Sequence, residues 1–312
     1  MNIVIASRGS QLALWQANWV QAQLTAAGHE IAIEIIRTTG DKLQSFPPEQ
    51  PLPASIAESV AEAGTKGLFI KEIEAALLEG RADLAVHSLK DLPTVLPDGL
   101  ILAAVPPRED ARDVFISASG KPFEQLPAGA RVGTSSPRRQ AQLRWLRHDL
   151  ELVPMRGNLD TRLRKLEGGD CDALVLAAAG VHRLGLRERI TGYFTIDEMC
   201  PAVGQGALAI EIRRDDAELE RAVTPLDDQA THLAVRAERA MLWRLGGGCQ
   251  VPIAAHASFE DALLRLRGVV ASLDGSRLIR AAAAGSDKDP ESLGAAVAEE
   301  LLERGASEIL RL

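Results

Sequence analysis

Short apolar runs of strand length alternate with amphipathic stretches of helix length from the start of the chain to about residue 213, and the junctions between them are polar and carry arginine. Alternation of this kind restricts the fold to α/β, with strands buried on both faces and joined by helices that pack on those faces. Strand–loop–helix units are expected at 2–7 with 11–27, at 131–133 with 138–148, and at 151–155 with a helix carrying Arg162. Ser10, Ser136 and Asn158 stand where a side-chain oxygen would cap those helices, and Pro137 suits a first helical position. Further strands are expected at 30–37, 82–87, 100–105, 172–177 and 207–213, and a further helix at 66–80. Pro106-Pro107-Arg108-Glu109-Asp110 reads as a connection to a second module, and 207–213 as the return to the first. From residue 231 the pattern changes to a helix, three strands (253–258, 263–271, 277–284) with Leu273-Asp274-Gly275-Ser276 as a hairpin turn, and a last helix over 290–304. This part reads as a small α+β domain.

Composition narrows the partners. At 312 residues, 46% hydrophobic and 25% charged, the chain is a soluble globular protein of more than one domain. A formal net charge of -8 and 4% aromatic residues argue against nucleic acid, so an anionic ligand has to be held by a local group of arginines. The first residues form an apolar strand pattern ending at Arg8, unlike a secretion signal, and no apolar run reaches membrane-spanning length. Cys171, Cys200 and Cys249 are odd in number and lack metal or redox-pair spacing, which fits a reducing compartment. A cytoplasmic protein that binds neither nucleic acid nor membrane is expected, and nothing demands more than a monomer.

Arg8, Arg138, Arg139, Arg156, Arg162 and Arg183 share one address, the junction after a strand. Any one of them could be a solvated side chain. As a set they recur where α/β sheets bind ligands, and the guanidinium fork matches a carboxylate or phosphate. Arg138 and Arg139 also fall in the first turn of a helix, against its dipole, a conflict that a bound anion relieves. Asp91, in Ser88-Leu89-Lys90-Asp91-Leu92-Pro93, is a carboxylate in cationic company: a turn-forming residue, a general acid, or a fixed charge beside a cationic intermediate. His87 reads as structural. Gly246-Gly247-Gly248-Cys249-Gln250 presents a thiol on a backbone free to approach something bulky. There is no P-loop, dinucleotide fingerprint or zinc motif, and no metal is expected. These residues alone imply a cleft for a ligand with many carboxylates or phosphates, in an enzyme, a non-catalytic anion-binding module, or a hydrolase using Cys249 as nucleophile.

Taken together and in order, Arg8-Gly9-Ser10-Gln11-Leu12-Ala13, His87 to Pro93, Gly133-Thr134-Ser135-Ser136 with Arg138-Arg139, Arg156-Gly157-Asn158, Pro201 to Gly206 and Gly247-Gly248-Cys249-Gln250-Val251-Pro252 resemble hydroxymethylbilane synthases, also called porphobilinogen deaminases. The resemblance implies three domains: 1–106 with 207–224, 107–206, and 225–312. The first two would be like periplasmic binding proteins, with mainly parallel sheets and helices on both faces, and the third a small α+β domain. It implies that four porphobilinogen molecules are deaminated and joined into linear hydroxymethylbilane on a dipyrromethane cofactor held by thioether to Cys249. Asp91 would be catalytic, contacting pyrrole N–H groups and stabilising the cationic azafulvene. Lys90, Ser135, Ser136, Arg138, Arg139 and Arg183 would bind the cofactor. Arg8, Ser10, Arg156, Arg162 and Gln205 would bind substrate and the growing chain. Pro137 stands where the family often has Leu, and the stretch 41–65 is expected to act as a mobile lid.

Overall fold

The computed structural model describes residues 1–44, 67–246 and 252–310. Of the lid expected over 41–65, residues 45–65 lie outside the described residues, as do the start of the helix expected at 66 and Cys249 with Gln250. The chain divides into two compact units, Met1–Arg108 with Ala207–His232 and Glu109–Gly206 with Leu233–Leu312.

In the first unit β1 (Asn2–Ser7) leads into α1 (Gln11–Ala26), whose first turn is capped by the Ser10 hydroxyl accepting from the Ala13 N–H at 3.3 Å. Next come β2 (Glu30–Ile35), α2 (Thr39–Gln44), α3 (Lys71–Leu78), β3 (Leu84–Ser88) and β4 (Leu100–Ala104). The second unit begins with β5 (Asp113–Ser117), β6 (Arg131–Gly133), α4 (Pro137–Leu146), β7 (Glu151–Val153), α5 (Leu159–Glu167), β8 (Ala173–Ala177), α6 (Ala178–Arg183) and β9 (Gly192–Tyr193). β10 (Leu208–Arg213) and α7 (Ala217–Val223) belong to the first unit, and α8 (Gln229–Arg244) leads from it into the second. β11 (Ile253–Glu260), β12 (Leu263–Ala271), β13 (Leu278–Gly285) and α9 (Pro290–Leu301) follow.

The first unit's sheet has the order β2-β1-β3-β10-β4. β1 pairs parallel with β2 and β3, whereas β10 runs antiparallel to both its neighbours, so four of the five strands point one way. Side chains alternate between the two faces. Ile3, Ile5, Leu84, Val86, Ile210 and Ile212 pack against Val20 and Leu24 of α1, while Ala6, Ala85 and Leu100 pack against Ile73, Ala76 and Leu77 of α3. Burial on both faces is why these strands read as unbroken apolar runs.

The second unit repeats the plan with the order β7-β6-β8-β5-β9, and here β5 is the reversed strand. Phe115, Val132 and Val175 meet Leu143 of α4 on one face, and Val114, Ile116, Leu174 and Leu176 meet Leu163 and Leu166 of α5 on the other. A three-stranded antiparallel sheet, β11-β12-β13, is covered by α8 and α9 through a core that includes Met241, Leu266, Val270 and Val297. The fold is therefore α/β, with two mainly parallel sheets covered on both faces and a small α+β portion.

Several elements differ from the sequence reading, among them α2, a helix at Thr39–Gln44 where an irregular stretch opening the lid was expected. β5 lies in a stretch without an expected strand, because Val114-Phe115-Ile116 is short and follows a run of charged residues. The loop expected to hold His182 and Arg183 is instead α6: Ala177 offers no side-chain cap to signal its start, and burial of Ala178, Ala179 and Val181 stabilises it.

Candidate active site

The β6–α4 junction is held by hydrogen bonds to its own hydroxyl side chains. Thr134 Oγ1 accepts from the Ser136 N–H at 3.2 Å, Ser135 Oγ from the Met155 N–H at 2.9 Å, and Ser136 Oγ from the Arg139 N–H at 3.4 Å as the cap of α4. Pro137 at the first position fixes φ where no backbone donor is lost. This start aims Arg138 and Arg139 inward, and both are buried. Arg139 donates through Nε (3.1 Å) and Nη2 (2.7 Å) to Asp113 Oδ1, and Arg138 Nη2 lies 2.7 Å from Asp113 Oδ2. Arg138 Nη1 donates to the Cys200 carbonyl at 2.6 Å. Gln205 Nε2 reaches the same Asp113 Oδ1 at 3.0 Å and the Ala111 carbonyl at 2.7 Å. From α6, Arg183 Nη2 donates to the Gly206 carbonyl at 2.7 Å, next to Gln205.

Charge in this cluster is out of balance. Burial alone would raise the Asp113 carboxyl, but the charges of Arg138 and Arg139 overcome it and hold the group at about 2. One carboxylate so faces two guanidinium groups. Burial brings Arg183 down to about 10, with Glu109 partly opposing. Arg138 Nε is buried with no hydrogen-bond partner. Positive charge in excess and an unsatisfied donor are what a ligand with several carboxylates would complete. A dipyrromethane, whose two rings each carry an acetate and a propionate, has that chemistry, and the donor set fits it. Cys171 and Cys200 are buried thiols; burial pushes Cys200 up to about 12, so neither is poised as a nucleophile.

At the next junction, Gly157 takes φ +111° and its carbonyl accepts from Arg162 Nε at 2.9 Å, while Arg156 is exposed. In the first unit Ser7 ends β1 and Arg8 follows it, donating to Asp41 Oδ1 through Nε (3.0 Å) and Nη2 (2.5 Å) with its guanidinium 4.2 Å from the centre of the Phe69 ring. Lys90 and Asp91 occupy a single 3-10 turn, Leu89–Asp91, directly after β3, and both are partly exposed. The turn is tied down by the Leu89 N–H donating to the Ala207 carbonyl at 3.0 Å and by Ser88 Oγ accepting from Gln16 Nε2 at 2.8 Å. Arg138, Arg139, Arg183, Gln205 and the two serines thus gather in the second unit, with Arg156 and Arg162 at the neighbouring β7–α5 junction. Arg8, Ser10, Lys90 and Asp91 stand at strand ends of the first.

Asp113 is the residue sequence reasoning missed. Its signal was an acid placed immediately before an apolar triplet, obscured by Glu109 and Asp110 just upstream.

Residues 3–221 match the family described as porphobilinogen deaminase, dipyromethane cofactor binding domain, and residues 232–303 its C-terminal domain. The porphobilinogen deaminase of Syntrophotalea carbinolica is 51% identical over 308 residues, covering 98% of this chain and 94% of the relative. That of Desulforudis audaxviator is 52% identical over 310 residues, covering 99% and 96%. Among solved structures, the periplasmic VFT2 domain of Bordetella pertussis BvgS aligns at a TM-score of 0.40 and 14% identity, covering 72% of this chain and 85% of that one. An ancestral arginine-binding protein aligns at 0.38 and 11%, covering 72% and 90%. On the sequence matches, which run through both parts of the chain, it belongs to the porphobilinogen deaminase family.

Proposed function

We propose that the chain is a hydroxymethylbilane synthase, which deaminates four porphobilinogen molecules and joins them head to tail into linear hydroxymethylbilane in tetrapyrrole biosynthesis. The observation that carries this reading is the buried excess of guanidinium over carboxylate around Asp113, because substrate and product are both polycarboxylates. Dipyrromethane, joined by thioether to Cys249, supplies when bound the pyrrole on which the product is extended. Lys90, Ser135, Ser136, Arg138, Arg139 and Arg183 hold its carboxylates and polar edges. Arg8, Ser10, Arg156, Arg162 and Gln205 hold the acetates and propionates of the incoming ring and the growing chain.

Asp91 is the catalytic residue of this reading. Its carboxylate accepts the pyrrole N–H of the substrate and offsets the positive charge that develops on that ring as ammonia leaves. Its backbone stands on a short turn held by the Leu89 N–H on the Ala207 carbonyl, which supports this role by limiting how far the carboxylate has to move during the reaction. The reading includes a monomeric, cytoplasmic enzyme in three domains, the last of them, 225–312, carrying the tether. Among the described residues no helix is long and apolar enough to cross a membrane.

Denaturing mass spectrometry of active protein tests the covalent part: the polypeptide mass plus a dipyrrole is expected, and an unmodified mass in a fully active sample overturns it. Asp91→Asn should retain the added mass while turnover falls by about 10²- to 10⁴-fold. Near-normal turnover in that variant removes Asp91 from its role.

A further inference from the structure

At β3, just before the Lys90–Asp91 turn, stands a group of ionisable side chains that the reaction does not use. Glu211 of β10 is fully buried in a strand that is otherwise apolar up to Arg213. It faces Ala85 across the antiparallel pair with β3, and that small residue leaves room for its carboxylate. His87, diagonal to it on the same face, is 6% exposed and brings Nε2 to 3.0 Å from Glu211 Oε2. The other oxygen, Oε1, is buried with no hydrogen-bond partner, and so is Oε1 of Glu74 on α3, the helix that covers this face.

Two carboxylates and one imidazole in such a place cannot all be charged without cost. Glu74 is pushed up to about 7, by burial first and then by the charge of Glu211, with His87 opposing. Neighbouring charges are otherwise engaged. Arg213, on the same face of β10, donates to the carbonyls of Leu77 and Ala82 and lies 3.2 Å from both Asp83 and Asp216. Glu72, on Glu74's own helix, accepts from Thr39 N (2.8 Å) and Oγ1 (2.5 Å), and Asp41 of α2 pairs with Arg8. β1 and β4 present the apolar Ala6 and Leu100. Lys90 and Asp91 themselves lie on the turn beyond His87.

We propose that Glu74, His87 and Glu211 are positioning residues for the Asp91 turn: they clamp the end of β3 from behind and couple the order of 88–92 to a single proton held on Glu74. The link to turnover rests on the catalytic reading of Asp91; the coupling itself does not. Its sign follows from linkage. A carboxyl raised from 4.5 to about 7 contributes its stabilisation fully below 4.5, and that contribution is lost as pH rises through about 7. With an ordinary carboxyl in the opened state, opening should increase about tenfold between pH 6 and pH 8.

Hydrogen exchange of the cofactor-loaded enzyme, followed on the amides of Leu89 and Leu92 and corrected for intrinsic exchange rates, reads this directly. Wild type should lose protection about tenfold from pH 6 to pH 8, Glu74→Gln should be nearly flat over that range, and Glu211→Gln should shift the loss to lower pH. Constant protection in wild type, or a Glu74→Gln profile that follows wild type, overturns the proposal. Should either variant fail to fold, the wild-type profile and the remaining variant decide. Turnover separates the two readings. Near-normal turnover of Asp91→Asn beside the expected exchange result keeps the coupling and rejects the Asp91 assignment.

Discussion

Asp113 holds Arg138 and Arg139 on one carboxylate, and the three side chains are nearly inaccessible to water. Removing the shared partner strands two buried cations, so Asp113→Ala should destabilise the folded protein by about 3 to 5 kcal/mol. Urea unfolding measures this, and a change within about 0.5 kcal/mol, as at an ordinary surface position, would contradict the buried network. The arginines were legible in the sequence because a cation in the first turn of a helix opposes the dipole and calls for an anion. Their carboxylate was not. Glu109, Asp110 and Asp113 are close in sequence, and only the fold decides that Asp110 pairs with Arg112 near the surface while Asp113 turns inward. Glu211 is the same lesson: an acid within an apolar strand declares burial, yet its partners Glu74 and His87 come from elements far away in the chain.

At the scale of elements, caps and glycines mark what local sequence can say. α1 and α4 begin where Ser10 and Ser136 predict, because the signal is contained in four residues. α9 meets α8 at Gly294, where a Cβ would lie 2.4 Å from the Ala237 carbonyl and 2.8 Å from the Met241 nitrogen. Backbone cannot yield as a side chain can, so Gly294→Ala should cost about 1 to 3 kcal/mol despite the better helix propensity of alanine. Gly285→Ala in β13, whose nearest neighbour would be 3.5 Å away, serves as the control and should be within about 0.5 kcal/mol of wild type. Thermal melts of the two variants side by side check the contrast; equal melting temperatures would count against helix contact at Gly294. No pattern within α9 alone reveals this glycine, since its crowding comes from another helix.

Over the whole molecule, the two larger sheets both place a single reversed strand fourth, β10 in one and β5 in the other, although no repeat of fixed period is visible in the sequence. Burial on both faces was legible because it depends on apolar runs and helical spacing; the identity of the reversed strand was not, because it depends on where the chain returns. Stability against acid also belongs to this scale. Asp113 is depressed from 3.8 to about 2, so its contribution is present above 3.8 and lost as pH falls toward 2. Asp41, Glu109 and Asp110, also lowered although burial works against each, act in the same direction. The urea midpoint should therefore fall steadily from pH 4 to pH 2, and a flat midpoint over that range would contradict these pairings.

The position of β10 has a consequence for how the chain is made. β3 and β4 are neighbours in sequence, but β10 lies between them in the sheet. A nascent chain cannot close the first sheet until Arg213 has left the ribosome, whereas the last strand of the second sheet, ending at Tyr193, emerges earlier. The usual order of N-terminal part first is thereby altered: the sheet that is begun first waits, with β3 and β4 unjoined, until the strands of the second sheet have been synthesised.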